Sequence, residues 1–277
     1  MPYIRVGWEN SGDIQIYYED HGAGPPVVLV HGYLADGHSW EKQELALLAA
    51  GYRVITYDRR GGGASSRPGT GYDYGTLSAD LNMLLGELDL RQAVLVGCGT
   101  GTGDVIRHLG LNGQGRVRAA VLLAPLPPLL PRPADEQDGP GRCFLDDFPG
   151  QLAADRPAAI KAYLDTYYSL DVPGAVRVSE QAWYDSFHRA ISVSAAAALA
   201  GATSFREDFR RDLARITVPV LIVQGTLDMV MPPVAANQLA VILTSSRLIA
   251  IPGGPHAIIW TNSAEVNHAI LGFLADL

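Results

Sequence analysis

The sequence is short of cysteine, of basic residues and of long apolar runs, and each shortage excludes a class of protein. Its two cysteines, Cys98 and Cys143, are too few for a disulfide framework and fit no metal-ligand spacing. No apolar stretch reaches the ~20 residues of a transmembrane helix, so no membrane partner is expected. With 21 Lys and Arg against 29 Asp and Glu, the net charge is −8, which disfavours a nucleic acid or an anionic membrane as a partner.

The remaining composition is that of an ordinary enzyme, with 48% hydrophobic and 18% charged residues. At 277 residues the chain is long enough for one large α/β domain or two small ones. Residues 1–6 lack the charged and apolar regions of a secretory signal peptide, which favours a cytoplasmic location. The sequence leaves the oligomeric state open.

Short β-branched segments alternate with helical ones, a pattern that predicts a mostly parallel sheet flanked by helices. Several of these segments are continuous apolar runs, which is typical of strands buried on both faces. The predicted strands are 14–18, 27–30, 53–57, 93–96, 120–123, 220–223 and 248–251. The predicted helices of the core are 42–50, 77–88, 103–111, 233–243 and 266–274.

The alternation stops between residues 125 and 219, where we predict a helical cap over the carboxyl ends of the strands. A proline-dense segment, an acidic exposed loop at 135–141 and helices near 152–168, 179–191 and 194–199 make up this part. The sequence therefore divides into a core (1–125), a helical cap insertion (126–217) and the rest of the core (218–277). Its aromatic residues could line a substrate pocket, although packing against the core is the simpler role for each: Tyr163, Tyr167, Tyr168, Trp183, Tyr184 and Phe187. Among these, Trp183, Tyr167 and Phe187 are the pocket residues that we predict.

The most informative segment is 94–105, a strand that runs through a glycine-rich turn into a helix. Gly97 and Gly101 frame a nucleophile elbow, G-x-S-x-G, but Gly99 stands where the serine should be. The elbow is a sharp, strained turn that lifts its central side chain above the sheet, and glycine tolerates such strain at little cost. The sequence thus predicts that the elbow turn is present and that the nucleophile is missing from it.

Two further segments supply the other parts of such a site. A backbone N–H just after a His-Gly pair and the N–H after the nucleophile position form the oxyanion hole in the α/β-hydrolase plan, which points to Tyr33 and Thr100. His31 itself is expected to fasten loops. Asp228 follows one strand and His256 follows the next, in the chain order of a triad, so Asp228 would orient His256.

These motifs resemble the bacterial non-haem haloperoxidase and arylesterase (perhydrolase) branch of the α/β-hydrolase superfamily. The resemblance implies an eight-stranded, mostly parallel sheet with a helical cap, Asp228 and His256 as triad members, Tyr33 and Thr100 as oxyanion donors, and no metal or organic cofactor. Gly99 departs from the pattern, and Gly62 and Ala64 stand where bulkier residues are usual, which would open the floor of the site. The matching stretches are HGYLADGHSWEKQ (31–43), YDRRGGGASSRP (57–68), LVGCGTGTGDVIRH (95–108), GTLDMVMP (225–232) and GGPHAIIWTNSAEVN (253–267).

Neither neighbour of Gly99 is expected to replace the missing serine. Side chains alternate along a strand, so Cys98 should point away from the site and act as a small buried hydrophobe. The side chain of Thr100, at the start of the helix, should also be misdirected. A dinucleotide-binding loop is excluded as well, because Thr102 stands where G-x-G-x-x-G requires glycine.

Three functions follow from this pattern. The first is an ester or lactone hydrolase site whose nucleophile is replaced by glycine, either an inactivated substrate-binding variant or a nucleophile-less relative. The second is a cofactor-free enzyme of another class, in which His256 and Asp228 act as a general base for elimination, retro-aldol cleavage, cyclisation or direct attack by water. The third is a small-molecule-binding pseudoenzyme. In each case the expected ligand is small, neutral and moderately apolar.

Overall fold

An eight-stranded sheet forms the centre of the computed structural model, which describes residues 2–129 and 147–277. The strand order is β1-β2-β4-β3-β5-β6-β7-β8. The pairs β1–β2 and β2–β4 are antiparallel, and all other neighbours are parallel, as predicted. The strands are β1 (Tyr3–Glu9), β2 (Gly12–His21), β3 (Pro26–Val30), β4 (Arg53–Tyr57), β5 (Ala93–Cys98), β6 (Val117–Leu123), β7 (Val220–Gly225) and β8 (Ser246–Ile251).

Helices cover both faces of this sheet. Within the described ranges, none of them is both long and apolar enough to span a bilayer. A 3₁₀ turn at Gly37–Trp40 precedes the first of them. The α-helices are α1 (Glu41–Ala49), α2 (Tyr74–Glu87), α3 (Gly101–Leu111), α4 (Phe148–Ala154), α5 (Arg156–Tyr167), α6 (Glu180–Ser192), α7 (Ala195–Ser204), α8 (Arg210–Leu213), α9 (Pro233–Ile242), α10 (Ile258–Thr261) and α11 (Ser263–Ala275).

The central strands, such as β3, β5 and β7, are buried on both faces, as the continuous apolar runs indicated. Val28 and Val30 of β3 belong to one core cluster, whereas the alternate residues Val27 and Leu29 belong to a second cluster. Because side chains alternate along a strand, the two clusters lie on opposite faces of the sheet. The two layers of core fix the strand ends, and the candidate site is built on those ends.

The first strand is the one that the sequence patterns missed. β1 lies at the edge of the sheet, and its Tyr3 and Trp8 are 41% and 62% exposed. An edge strand with exposed aromatic residues lacks the continuous apolar run of the central strands. Its pairing with β2 also shifts register between Arg5 and Gly7, which further breaks the regular alternation.

Between β6 and β7 the described residues contain five helices and no strand. One predicted helix, 152–168, is in fact two, because Asp155 adopts an extended conformation and its carboxylate caps α5 by accepting from the N–H of Ala158. Pro157 favours this break, since proline suits the first turn of a helix and not its interior. The predicted acidic loop at 135–141 and Cys143 lie outside the described residues.

Candidate active site

The turn after β5 has the strained geometry expected of an elbow. Gly99 lies in the left-handed region, with φ +54°. Its N–H donates to the carbonyl oxygen of Leu123 at 2.9 Å, and its own carbonyl oxygen accepts from the N–H and the hydroxyl of Thr102 at 3.1 and 2.6 Å. The turn is therefore held from both sides, by the neighbouring strand and by the first turn of α3.

The glycines that flank Gly99 are required by close packing of the backbone. A Cβ at Gly97 would lie 2.7 Å from the carbonyl oxygen of Gly101, and a Cβ at Gly101 would overlap the carbonyl oxygen of Val30. Neither obstacle is the flexible end of a side chain, so neither can move aside. The spacing of the motif thus reflects how tightly α3 approaches β3 and β5.

Asp228 and His256 form a buried pair at the ends of β7 and β8. His256 Nδ1 lies 2.7 Å from Asp228 Oδ2, which also accepts from the side-chain amide of Gln224 at 3.0 Å. The other carboxylate oxygen accepts from the N–H groups of Val230 and Met231 at 2.9 and 2.8 Å. Since Nδ1–H donates to the carboxylate, Nε2 is the atom left free to accept a proton.

The free Nε2 of His256 faces the elbow. A Cβ at Gly99 would lie 2.9 Å from this nitrogen, with no other side chain nearer. The ring of Tyr167 packs edge-on against the imidazole, with centroids 5.3 Å apart and planes at 71°. The structure therefore brings together the predicted Gly99, Asp228 and His256, with a base directed at the position where a nucleophile would stand.

The predicted oxyanion donors come from loops that touch each other. A Cβ at Gly32 would lie 3.0 Å from the carbonyl oxygen of Cys98 and 3.9 Å from the backbone nitrogen of Thr100, so the Gly32–Tyr33 peptide lies directly against the elbow. Tyr33 is buried, and its hydroxyl donates to the carbonyl oxygen of Ala198 on α7. Its ring meets three others edge-on: Phe148, Tyr163 and Phe205.

A cleft that is partly open to solvent lies above Gly99. Of the aromatic residues that could line a pocket, Tyr163, Tyr167 and Tyr168 do so, which gives the cleft an apolar wall. The full lining is Gly32, Tyr33, Leu34, Ala35, His38, Ser39, Cys98, Gly99, Tyr163, Leu164, Tyr167, Tyr168, Asp185, Ser186, Arg189, His256, Ile259 and Trp260.

Trp183 and Phe187, which we predicted as pocket residues, do not line this cleft. They lie four residues apart on α6 and stack on each other, with centroids 5.5 Å apart and planes at 9°. The helix instead presents polar side chains to the cleft, among them Asp185 and Arg189. The prediction considered only aromatic character and ignored which face of α6 packs inward.

Arg189 and its partners are functional candidates that the sequence analysis missed. Its guanidinium donates to Asp36 Oδ1 at 3.0 Å and to both carboxylate oxygens of Asp185 at 2.8 and 3.1 Å. This network connects α6 to the loop after β3 at the edge of the cleft. The only sequence signal was the i,i+4 spacing of Asp185 and Arg189, which is common on exposed helix faces.

Cys98 does not supply a substitute nucleophile. Burial, reinforced by the charge of Asp228, raises the pKa of its thiol to about 12, so the reactive thiolate is disfavoured. The thiol belongs to the second core cluster, although the residue also borders the cleft. Gly62 lines a neighbouring cavity and not the cleft, and Ala64 is exposed, so neither forms the floor of the cleft.

One group of side chains among the described residues could hold a metal ion. Donor atoms of Glu19, His21 and Glu44 lie within 4.8 Å of one another near the protein surface. None of the three lines the cleft above Gly99. They therefore have no direct part in the chemistry of that cleft.

A family model described as alpha/beta hydrolase fold matches residues 25–263. A protein of Synechocystis sp. whose name places it among the non-heme chloroperoxidases is 49% identical over 99% of this chain and 100% of its own length. A bifunctional esterase/perhydrolase of Acinetobacter calcoaceticus is 31% identical over 97% of this chain and 99% of its own. Among solved structures, a bromoperoxidase from Bacillus anthracis matches with a TM-score of 0.91 and 36% identity, covering 99% of each chain.

Proposed function

Because this chain belongs to the alpha/beta hydrolase family, whose members with similar sequences are named as haloperoxidases and esterases, we propose that its cleft is an ester or lactone hydrolase site from which the nucleophile has been replaced by glycine. The single observation that carries this proposal is the direction of His256 Nε2 toward Gly99. A base that is held by Asp228 and directed at the elbow is the arrangement that would activate a serine there.

In this proposal the carbonyl group of an ester lies above Gly99. The N–H groups of Tyr33 and Thr100 would stabilise the negative charge that develops on its oxygen. With no hydroxyl at position 99, no acyl-enzyme can form. His256 can still accept a proton from a water molecule that attacks the carbonyl carbon directly, but loss of a triad nucleophile costs roughly 10⁶-fold in turnover. The native chain would therefore bind esters and cleave them very slowly.

We assign residues 126–217 to a cap that closes this site. Support comes from α5 and α6, because Tyr163, Leu164 and Tyr167 of α5 and Arg189 of α6 line the cleft above Gly99. The tyrosine-rich wall fits a small, moderately apolar and neutral substrate. The polar edge at Arg189 would contact the end of the substrate that faces solvent.

The test compares three proteins on an activated aryl ester: the native chain, Gly99→Ser and Gly99→Ala. Gly99→Ser should gain roughly a thousandfold or more in turnover and show a burst of product from the acyl-enzyme. Gly99→Ala is the matched control, because it adds the same Cβ without an oxygen, and it should stay as slow as the native chain. A folded Gly99→Ser protein that remains silent on a panel of esters and lactones would refute the proposal.

A second candidate function is proton abstraction from a substrate by His256, as in an elimination or a cyclisation. The observation in its favour is that His256 and Gly99 both line the cleft and that position 99 has no side chain, so the base can meet the substrate directly. In that case Gly99→Ser would block native turnover, and His256→Ala would abolish it. Ligand binding without any turnover would instead indicate a small-molecule-binding protein.

A further inference from the structure

Arg59 contacts both of the loops that carry the proposed oxyanion donors. Its backbone N–H donates to Nε2 of His31 at 2.9 Å, and its guanidinium Nη1 donates to the hydroxyl of Thr100 at 2.9 Å. His31 belongs to the loop after β3, and Thr100 belongs to the elbow after β5. Arg59, which lies just after the end of β4, thus connects the two sides of the proposed oxyanion hole.

The first connection acts through the tautomer of His31. Because Nε2 accepts from Arg59, the ring hydrogen lies on Nδ1, which is 2.9 Å from the carbonyl oxygen of Gly32 and donates to it. That carbonyl shares a planar peptide with the N–H of Tyr33, and the two groups point in opposite directions. Holding the carbonyl therefore directs the N–H. Burial and the charge of Arg59 lower the pKa of His31, which keeps its ring neutral.

The second connection acts through the first turn of α3. Nη2 of Arg59 donates to Asp104 Oδ1 at 2.9 Å while Nη1 donates to Thr100, so the fork of the guanidinium spans two residues of this turn. The side chain of Arg59 is 12% exposed and that of Asp104 is fully buried. A lysine ammonium is a single point charge and cannot reproduce this two-point contact.

We propose that Arg59 is a positioning residue that holds the N–H groups of Tyr33 and Thr100 in the mutual geometry needed to bind one oxyanion. This inference rests on the proposed function of the cleft. Arg59 does not touch the substrate in this proposal, and it acts through His31 and through the hydroxyl of Thr100. Donors held in advance stabilise the transition state more than donors that must reorganise during the reaction.

The kinetic test uses the Gly99→Ser protein as the parent. Arg59→Lys should lower kcat on an aryl ester 10- to 100-fold with KM changed less than twofold. Thr100→Val, which removes the hydroxyl and keeps the N–H, should lower kcat by a similar factor, and Thr100→Ser should lose less. Because both changes break the same contact, the double variant should lose much less than the product of the two factors.

Arg60→Lys is the matched control, since Arg60 is a neighbouring buried arginine whose side chain binds Asp80 and neither loop of the hole. It should leave kcat unchanged. An unchanged kcat in Arg59→Lys, fully multiplicative losses in the double variant, or an equal loss in Arg60→Lys would overturn the inference.

A measurement without turnover separates this inference from the proposed function. Arg59→Lys keeps the backbone hydrogen bond to His31 and removes the guanidinium contact with Thr100. In the native chain it should therefore speed hydrogen exchange at the amide of Thr100 at least tenfold, and Arg60→Lys should not. If the Gly99→Ser parent shows no ester turnover, the proposed function fails and this exchange experiment decides about Arg59. Unchanged exchange at the Thr100 amide in a folded Arg59→Lys protein would refute the positioning role.

Discussion

Nε2 of His256 lies within 2.9 Å of the point where a side chain on Gly99 would begin. This distance is shorter than an ordinary contact between a Cβ and a ring nitrogen. The imidazole thus stands closer to the elbow than it could in a protein with serine or alanine at position 99. Glycine lets the imidazole approach the backbone of the elbow, and under the proposed function it also stands in place of the nucleophile.

We expect Gly99→Ala to destabilise the protein by more than its backbone conformation alone requires. The left-handed φ costs an L-residue about 1–2 kcal/mol, and displacement of the imidazole should add about 1 kcal/mol. Gly113→Ala is the control, because Gly113 also has a positive φ, +83°, and has no atom within 4 Å of its Cβ position. Urea unfolding of both variants measures the difference. The cost of Gly99→Ala should fall to that of the backbone alone when it is measured in a His256→Ala background, against His256→Ala as the parent. Equal losses in the two alanine variants would contradict this account.

His108 should make the protein less stable in mild acid. Burial lowers its pKa to about 4, from about 6.5 in an unfolded chain. The folded state therefore favours the neutral ring. The stability that this preference gives the folded protein is complete above pH ~6.5 and is lost as the pH falls toward 4. Its full size is roughly 3 kcal/mol. Unfolding free energy measured from pH 7 to pH 4 should fall less steeply in His108→Gln than in the native chain. His268→Gln, at an exposed position on α11, should leave the slope unchanged.

Removing one partner of the Arg60–Asp80 ion pair should lower the free energy of unfolding more than replacing both residues with apolar ones. Two 2.7 Å hydrogen bonds join the side chains, both of which are almost fully buried. Arg60→Met leaves a buried carboxylate without its partner and should cost about 3–5 kcal/mol. The double change Arg60→Met with Asp80→Leu removes both charges and should cost clearly less. Thermal unfolding of the three proteins tests this order, and a double variant no more stable than Arg60→Met would show that other groups dominate.

Arg189→Met should loosen the contact between α6 and the loop after β3. The change removes the hydrogen bond to Asp36, and partly exposed pairs of this kind contribute about 1 kcal/mol. Hydrogen exchange of the α6 amides should become faster in this variant. In the native chain, high salt should also speed exchange of these amides, but by less, because salt only screens the ion pair. Arg91→Met, which removes an exposed pair with Asp89 in the loop before β5, is the control and should not alter exchange in α6. Unchanged exchange in Arg189→Met would mean that apolar packing alone holds α6.

The parts of the site that could be predicted from the sequence are those fixed by the backbone. Strands β3 and β5 are continuous apolar runs, and the spacing of Gly97 and Gly101 records a close approach of chain segments. The order of Asp228 and His256 after consecutive strands correctly placed them together, because parallel strands end at the same edge of the sheet.

The orientation of the helices over the site could not be predicted in this way. Rotation of α6 about its axis decides whether Trp183 or Arg189 faces the cleft, and that rotation depends on packing against distant residues. On α5 the ring of Tyr167 does contact His256, and its role as a pocket residue stays a prediction. The contacts of Arg59 were also missed, because they join segments that lie far apart in the sequence.

The strand order has a consequence for how the protein is made. From β5 onward each new strand adds to the outer edge of the sheet in chain order, so β7 and β8 come last. During synthesis, the elbow and its oxyanion loops can fold before Asp228 and His256 have left the ribosome. Until then β6 pairs only with β5 and leaves its other side as an open sheet edge, which is a known risk for aggregation. His256 is therefore the final residue of the candidate site to emerge, and the growing chain depends on its last two strands to protect the sheet.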